Sequence, residues 1–462
     1  MQDHYNLYSR RFKRTWGLSL IRLGFVTEGA VVLVTPNTVK HVLKTNFKNY
    51  VKGHQLNGVL GEFLGDGIFT SDGTRWRTHR KVATQMFSKK LLKQGTKVAT
   101  RQAKCLCDKV ADYAKKGQAF DLQRLFYNFT MDTFCSIAFG VDLDSQNRDN
   151  AFTRAFDDVQ MISNRRPQSP FWKFRRAFRC HEERRLTEGV REMHAFAKRI
   201  IGAKRRTLER DGDLLGPDLI SRFLVRAKRD GKEVTDKELI DLVLNFIIAG
   251  RDTTAAALSW TMYELIEQSS GRDIQEKVIA EIEANGGAID TLSEEKLFEV
   301  LYGNLPYTKA VIMEGLRLHP SVPKDIKFAV DDDVLPDGTR VKAGMAVMYV
   351  PYAMGRDPSL WPDPLRFDPD RWINRRENDD ESSSKASSLF GREVSEYTYP
   401  VFNAGPRICI GRPLAILEMQ LMLSMLLSRF SFRPENGTLD GSYTQTIVPP
   451  LKHGLPVKAR VR

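Results

Sequence analysis

The residues most plainly fitted for chemistry are Phe402-Asn403-Ala404-Gly405-Pro406-Arg407-Ile408-Cys409-Ile410-Gly411. Their types and spacing suit one thiolate, that of Cys409, held against a buried iron. Such a sulfur must stay ionised and dry. Gly405 and Gly411 permit a tight turn in which backbone N–H groups approach the sulfur and tune its donor strength. Phe402 can cover it and exclude water. Arg407, two residues before the cysteine, offers a permanently charged fork for a carboxylate beside the metal. The alternative is an inert buried cysteine in a glycine-rich loop, the ordinary state of a free cysteine.

The pattern Phe-x-x-Gly-x-Arg-x-Cys-x-Gly resembles the haem-binding loop of the cytochrome P-450 monooxygenases, and no fixed position departs from it. The resemblance implies haem b as cofactor, Cys409 as the protein ligand of its iron and Arg407 on a haem propionate. A thiolate ligand pushes electron density onto the iron and favours O–O cleavage.

The other chemical residues fall on patterns that predict helices. Trp76 and Arg80 are four apart, so a helix presents an indole N–H and a guanidinium on one face. Both can address a propionate, as in the family's Trp-x-x-x-Arg helix; a basic solvated helix end is the other reading. A long helix is predicted from Asp236 to about Glu267, with Ala249-Gly250-Arg251-Asp252-Thr253-Thr254 at its middle. Glycine inside a helix costs roughly 1 kcal/mol against alanine. Gly250 is read as making room for dioxygen, with Thr253 placing a hydroxyl beside it and Asp252 linking that hydroxyl to solvent protons. The acid–alcohol pair resembles the family's proton relay; close helix packing is the alternative reason for Gly250. Glu314 and Arg317 are three apart on a helix ending before Pro320. The resemblance implies that Arg371, in Phe367-Asp368-Pro369-Asp370-Arg371, completes a buried structural triad with them.

The remaining patterns supply scaffold. Helical spacing predicts helices over Leu91–Lys116, Leu122–Phe139, Ala151–Asn164 and Leu414–Leu427, the last with its dipole aimed at the thiolate. Ala30–Thr35 reads as a strand leading to a short helix, and Asp331–Val341 as a hairpin turning at Asp337-Gly338. The glycine-rich stretch Gly53–Gly73 is expected to be a mobile loop, which in the family roofs the substrate pocket. Asn378–Glu396 reads as a polar surface insertion. Arg165–Arg185 is basic and aromatic, suited to a membrane interface or an entry channel, with a solvated connection equally open.

With 42% hydrophobic and 28% charged residues over 462 positions, the chain has ample core for a buried cofactor. Five cysteines without regular spacing argue for a reducing compartment, and Cys105-x-Cys107 reads as helix packing. The 71 Lys and Arg against 57 Asp and Glu leave a net charge of +14. No nucleic-acid-binding motif accompanies that charge, so an acidic electron-donating protein is the better match. No apolar run of about 20 residues spans a membrane, and Met1–Lys13 does not read as a signal peptide.

The resemblance runs from the Trp76 helix to the C-terminus. It implies a mainly α fold with a smaller β-rich portion, the triangular prism of the cytochrome P-450 fold. The expectation is a single catalytic domain over 1–462, without the family's usual N-terminal membrane anchor. Gly65-Asp66-Gly67-Ile68-Phe69, Pro320-Ser321-Val322-Pro323, Asp333-Val334-Leu335-Pro336-Asp337-Gly338 and Tyr352-Ala353-Met354-Gly355-Arg356 are most similar to the plant and yeast fatty-acid ω-hydroxylases. That implies a monooxygenase using dioxygen, a lipophilic substrate and electrons from a separate NADPH-dependent flavoprotein reductase, on the cytoplasmic face of the endoplasmic reticulum membrane. No nucleotide-binding glycine fingerprint occurs in the chain, in keeping with an external reductase. Isomerisation of lipid peroxides, oxidation of sterols, and haem binding without turnover are the competing readings. The pocket is expected to use Phe69, Phe246, Ile247, Val322 and Thr446-Ile447-Val448.

Overall fold

The computed structural model describes residues 16–18, 29–166, 171–178, 180–211, 218–231, 234–268, 271–373 and 394–462. Met1–Lys13 and most of the stretch 378–396 lie outside them. The principal helices are α1 (Gly53–Leu64), α2 (Gly73–Thr84), α3 (Lys89–Lys116), α4 (Leu122–Phe139), α5 (Ala151–Arg165), α6 (His181–Asp211), α7 (Asp236–Glu267), α8 (Pro306–Leu318) and α9 (Arg412–Arg429). A five-stranded sheet runs in the order β1 (Trp16–Leu18), β2 (Ala30–Leu33), β5 (Ala346–Tyr349), β4 (Asp325–Ala329), β3 (Tyr50–Val51). β2 and β5 pair in parallel with Ala30 opposite Ala346, while β4 and β5 are antiparallel with Phe328 opposite Ala346. The architecture is therefore mainly helical with a smaller β-rich portion, as the sequence implies. Asp333–Val334 and Arg340–Val341 pair as the expected hairpin, with Gly338 at φ +83° in its turn.

α7 is the axis of the molecule. Its start is set by a capping box in which the Thr235 hydroxyl accepts from the Glu238 amide and the Glu238 carboxylate accepts from the Thr235 amide. Leu239, Leu242, Val243, Phe246, Ala257 and Leu258 are all buried, as are Trp260 and Met262, so the helix is covered on every side. That pattern belongs to a helix passing through a core, not over one. Two glycines allow the close packing. A Cβ on Gly250 would lie 1.9 Å from Phe134 of α4, and one on Gly315 of α8 would lie 2.3 Å from the Thr261 hydroxyl. Close packing against Phe134 therefore suffices to require glycine at 250.

The stretch from Gly53 to Gly73 differs from its expected loop. Its first half is helix α1, and its second is tied to α7 by side chains the glycine content conceals. Asp241 accepts from the Asp66 amide at 2.9 Å, while Asn245 accepts from the Phe69 amide at 3.2 Å and donates to the Leu64 carbonyl at 2.6 Å. Gly65, at φ +54°, has no room for a side chain because a Cβ would meet the Asp241 carboxyl at 2.1 Å. The glycines here serve close approach, and the segment is fastened to the central helix.

Glu314 of α8 is fully buried at a junction of charges. Arg317 donates to both its oxygens at 2.8 and 2.9 Å, Arg371 donates at 2.9 Å, and the Trp372 indole donates at 2.8 Å. The Asp368 amide adds a fifth bond at 2.8 Å. Arg317 also reaches the carbonyls of Gly355, Pro364 and Arg366. One carboxylate thereby neutralises two guanidiniums and fixes the chain on either side of residue 360. Glu314→Gln should leave Arg317 without a counter-charge and Arg371 with Asp368 alone at 4.0 Å, at a cost of about 3–5 kcal/mol. Chemical unfolding of the two proteins measures it; a loss below ~1 kcal/mol would contradict the junction's structural role.

Candidate haem site

The cysteine loop is built from two short 3₁₀ turns, Pro400–Phe402 and Gly405–Arg407, leading to α9. The Cys409 amide donates to the Phe402 carbonyl at 2.7 Å, which closes the loop on itself. Gly405 sits at φ +62°, and a Cβ there would strike the Leu43 carbonyl at 2.2 Å. Its role is to seat the loop on the strand-and-helix layer beneath. Gly411 caps α9 and, with Arg412, aims a backbone N–H at the Cys409 sulfur. Pro413 occupies the first turn of α9, where its missing N–H costs nothing.

Cys409 is accessible by area although protein surrounds it closely. Burial raises its thiol pKa; the two N–H groups and the cations of Arg80 and Arg412 oppose that rise. A coordinating metal cation deprotonates such a thiol outright. Phe402 lies half-buried with the Arg412 guanidinium 5.2 Å from its ring centre.

Trp76 and Arg80, one turn apart on α2, meet Arg407 of the cysteine loop in one cluster. The Arg407 guanidinium lies 4.5 Å from the centre of the buried Trp76 ring, and that of Arg80 lies 5.9 Å from it. Arg407 donates to Asp72 at 2.7 Å and to the Ser71 carbonyl at 2.8 Å, and Arg80 donates to the Ile408 carbonyl at 2.6 Å. Beside them stands Lys327 in β4, 1% exposed, whose Nζ has no hydrogen-bond partner. Its nearest carboxylate, Asp325, is 3.5 Å away and already bonded to Lys52 and Tyr349. Burial drives the Lys327 pKa well below the usual amine range. A buried ammonium without an acceptor is costly, and an anion at this place would satisfy it. Sequence reading missed Lys327, although a lysine between Ile326 and Phe328 in a strand pattern is a visible anomaly.

These residues fit an iron porphyrin. One sulfur with two N–H donors is suited to bind a metal, and the cations with the unbonded Lys327 amine suit a pair of carboxylates. When bound, haem supplies the activation of dioxygen for insertion into a C–H bond.

Asp252 and Thr253 take different directions. The Thr253 hydroxyl donates to the Ala249 carbonyl one turn back at 2.6 Å. Asp252 is 0% exposed and turns toward α5, accepting from Gln160 at 2.7 Å and from Arg251 at 3.0 Å. Arg251, itself 1% exposed, also pairs with Asp157 at 2.6 Å and stacks on Tyr127. Burial is the largest cause raising the Asp252 pKa to about 6, with Arg251 opposing it. Asp252 thus lacks direct contact with solvent and connects to it through a network with α5, whose Asp157 and Gln160 are partly exposed. Gln160 and Asp157, which hold that network, carry no signal in the sequence beyond helical spacing.

The fold and this loop define a haem-thiolate protein, and the chain belongs to the cytochrome P450 family, whose members are haem-dependent monooxygenases. The family model described as Cytochrome P450 matches residues 1–456. The chain is similar to cytochrome P450 94A1 of Vicia sativa, 36% identical over 422 residues that cover 89% of this chain and 77% of that protein. It is 34% identical to cytochrome P450 704C1 of Pinus taeda over 455 residues, covering 94% and 83% respectively. Cytochrome P450 monooxygenase cyp1 of Mycosarcoma maydis is 34% identical over 448 residues, covering 92% and 67%.

Lys327→Met should weaken haem retention by about tenfold, the size of one charge-assisted hydrogen bond, while Lys327→Arg should retain it. The rate of haem transfer to an excess of acceptor protein reads this out. Equal rates in wild type and Lys327→Met would remove the lysine from the site.

Proposed function

We propose that this protein hydroxylates long-chain fatty acids at or near the methyl end. The reading is supported by the Cys409 site and by the apolar, mostly buried character of the residues expected to line its pocket. Phe246 and Ile247 of α7 are buried at 5% and 0% exposure, Val448 at 2%, and the half-buried Ile447 packs against both large halves of the core. Val322 joins one half, and Phe69 is more exposed than the rest at 39%. An acyl chain gains about 0.8 kcal/mol for each methylene it buries against such residues. Internal C–H bonds are weaker than those of the terminal methyl, so selectivity for the end requires the chain to lie end-on above the metal.

In this reading Cys409 is the iron ligand, held by the amides of Gly411 and Arg412. Trp76, Arg80 and Arg407, with Lys327, take the propionates. The hydroxyl of Thr253 relays a proton at the face of α7, and Asp252 feeds it on leaving Gln160. Electrons come from a separate NADPH-dependent flavoprotein reductase, whose acidic face suits the net charge of +14.

The substrate class and the enzyme's place at the cytoplasmic surface of the endoplasmic reticulum support each other. No helix among the described residues is long and apolar enough to cross a membrane. A surface helix, Trp172–Ala177, nevertheless carries Phe174 at 65% exposure between Phe171 and Phe178 at 71% and 67%. Three exposed aromatics beside Arg175 and Arg176 suit a lipid–water boundary.

Saturated fatty acids of graded length, given with reductase and NADPH, should bind more tightly as they lengthen and yield the hydroxyl at the methyl end by mass spectrometry. Hydroxylation confined to internal carbons would defeat the positional assignment. Turnover of a sterol or an aromatic compound with no fatty acid accepted would defeat the substrate class.

A further inference from the structure

A second cavity, of about 180 Å³, opens beside the C-terminal half of α7. Its wall includes Trp260, Tyr263, His319, Tyr352, Arg356 and Tyr443. From Thr253 to Trp260 is seven residues, or roughly 10 Å along the helix. None of the residues assigned above to the iron, the propionates or the acyl chain lines it.

The wall is made of ring faces. His319 stacks on Trp260 with centroids 4.2 Å apart and planes 5° from parallel, and Tyr263 meets both edge-on at 5.5 and 6.2 Å. The Arg356 guanidinium carbon lies 3.7 Å from the centre of the Tyr352 ring. Arg356 has one hydrogen-bond acceptor, the Leu318 carbonyl, and no ion pair among the described residues includes it. The acid nearest to hand, Glu264, is taken up by His319 at 2.6 Å and Gln268 at 2.8 Å. A guanidinium is a rigid fork that matches a carboxylate in two places, and among the described residues no carboxylate lies within ion-pair distance of this half-buried one.

We propose that this cavity binds a small aromatic monocarboxylate, its carboxylate on the open edge of the Arg356 guanidinium and its ring among Trp260, Tyr263 and Tyr443. A single open cation sets the charge at one. Glu264 in the same wall opposes any second negative charge, which disfavours phosphates and dicarboxylates. The cavity borders the segment next to the reaction centre: Pro320 and Pro323 line it, and Ser321 between them donates to the Thr253 carbonyl at 2.7 Å.

The test is equilibrium dialysis of benzoate against the haem-loaded protein, with and without imidazole saturating the iron. Imidazole is used because it occupies the haem pocket whatever the natural substrate is. The expected result is one equivalent of benzoate bound equally in both, without change in the haem absorption band. Leu365, 70% exposed, lies in the same wall. Leu365→Glu should repel benzoate, and Arg356→Gln should remove its partner while keeping a donor for the Leu318 carbonyl. Each should weaken binding by about tenfold or more, the size of one charge-assisted hydrogen bond. No binding by the wild type, displacement of benzoate by imidazole, or unchanged affinity in Leu365→Glu would each overturn the proposal.

Discussion

The constraint on which the site depends is the Cys409 sulfur, which protein surrounds closely and which must carry negative charge to hold a metal. Dehydrating a charge is costly, and the fold offsets that cost with groups drawn from several separate stretches of chain. The amides of Gly411 and Arg412 come from the start of α9, Arg80 comes from α2, and the loop itself is closed by the Cys409 amide on Phe402. Gly405 then presses the loop against the Leu43 carbonyl so closely that no side chain fits between them. A site assembled from such separated pieces needs its scaffold to be stiff.

Stiffness comes from buried polar groups satisfied by distant partners. Glu314 gathers Arg317, Arg371, Trp372 and the Asp368 amide onto one carboxylate, and Arg317 carries the order on to three carbonyls. Asp241 and Asn245 do similar work on the other side of α7, fastening residues 64–69 to the axis. α7 itself serves both sides. Its Gly250 admits Phe134, while its Thr253 carbonyl receives Ser321 and its Asp252 is turned outward to Gln160.

Much of this was legible in the residues. Helical periodicity placed α4 and α7 at their observed bounds, and α3, α5 and α9 within two residues at each end, because those helices are long and their apolar faces regular. The cysteine loop and the Glu314, Arg317, Arg371 set were readable as resemblances, and the structure brings each set together. What was not legible depended on contacts between distant segments. Glycines at 53, 58, 61, 65 and 67 suggested a loose loop, yet half of that stretch is helix and the rest is clamped by Asp241 and Asn245, about 175 residues later. Lys327 reads as an ordinary strand lysine until its burial is known. Phe134 packed against Gly250 and Gln160 bonded to Asp252 carry no motif and emerge only in the fold.

The central claim is that Cys409 alone holds the iron as a thiolate. It is tested most directly by the absorption of the reduced, carbon monoxide-bound protein, wild type against Cys409→Ala. The account predicts the long-wavelength band characteristic of thiolate ligation in the wild type, and its loss in the variant together with most of the bound haem. A variant that keeps both its haem and that band would contradict it.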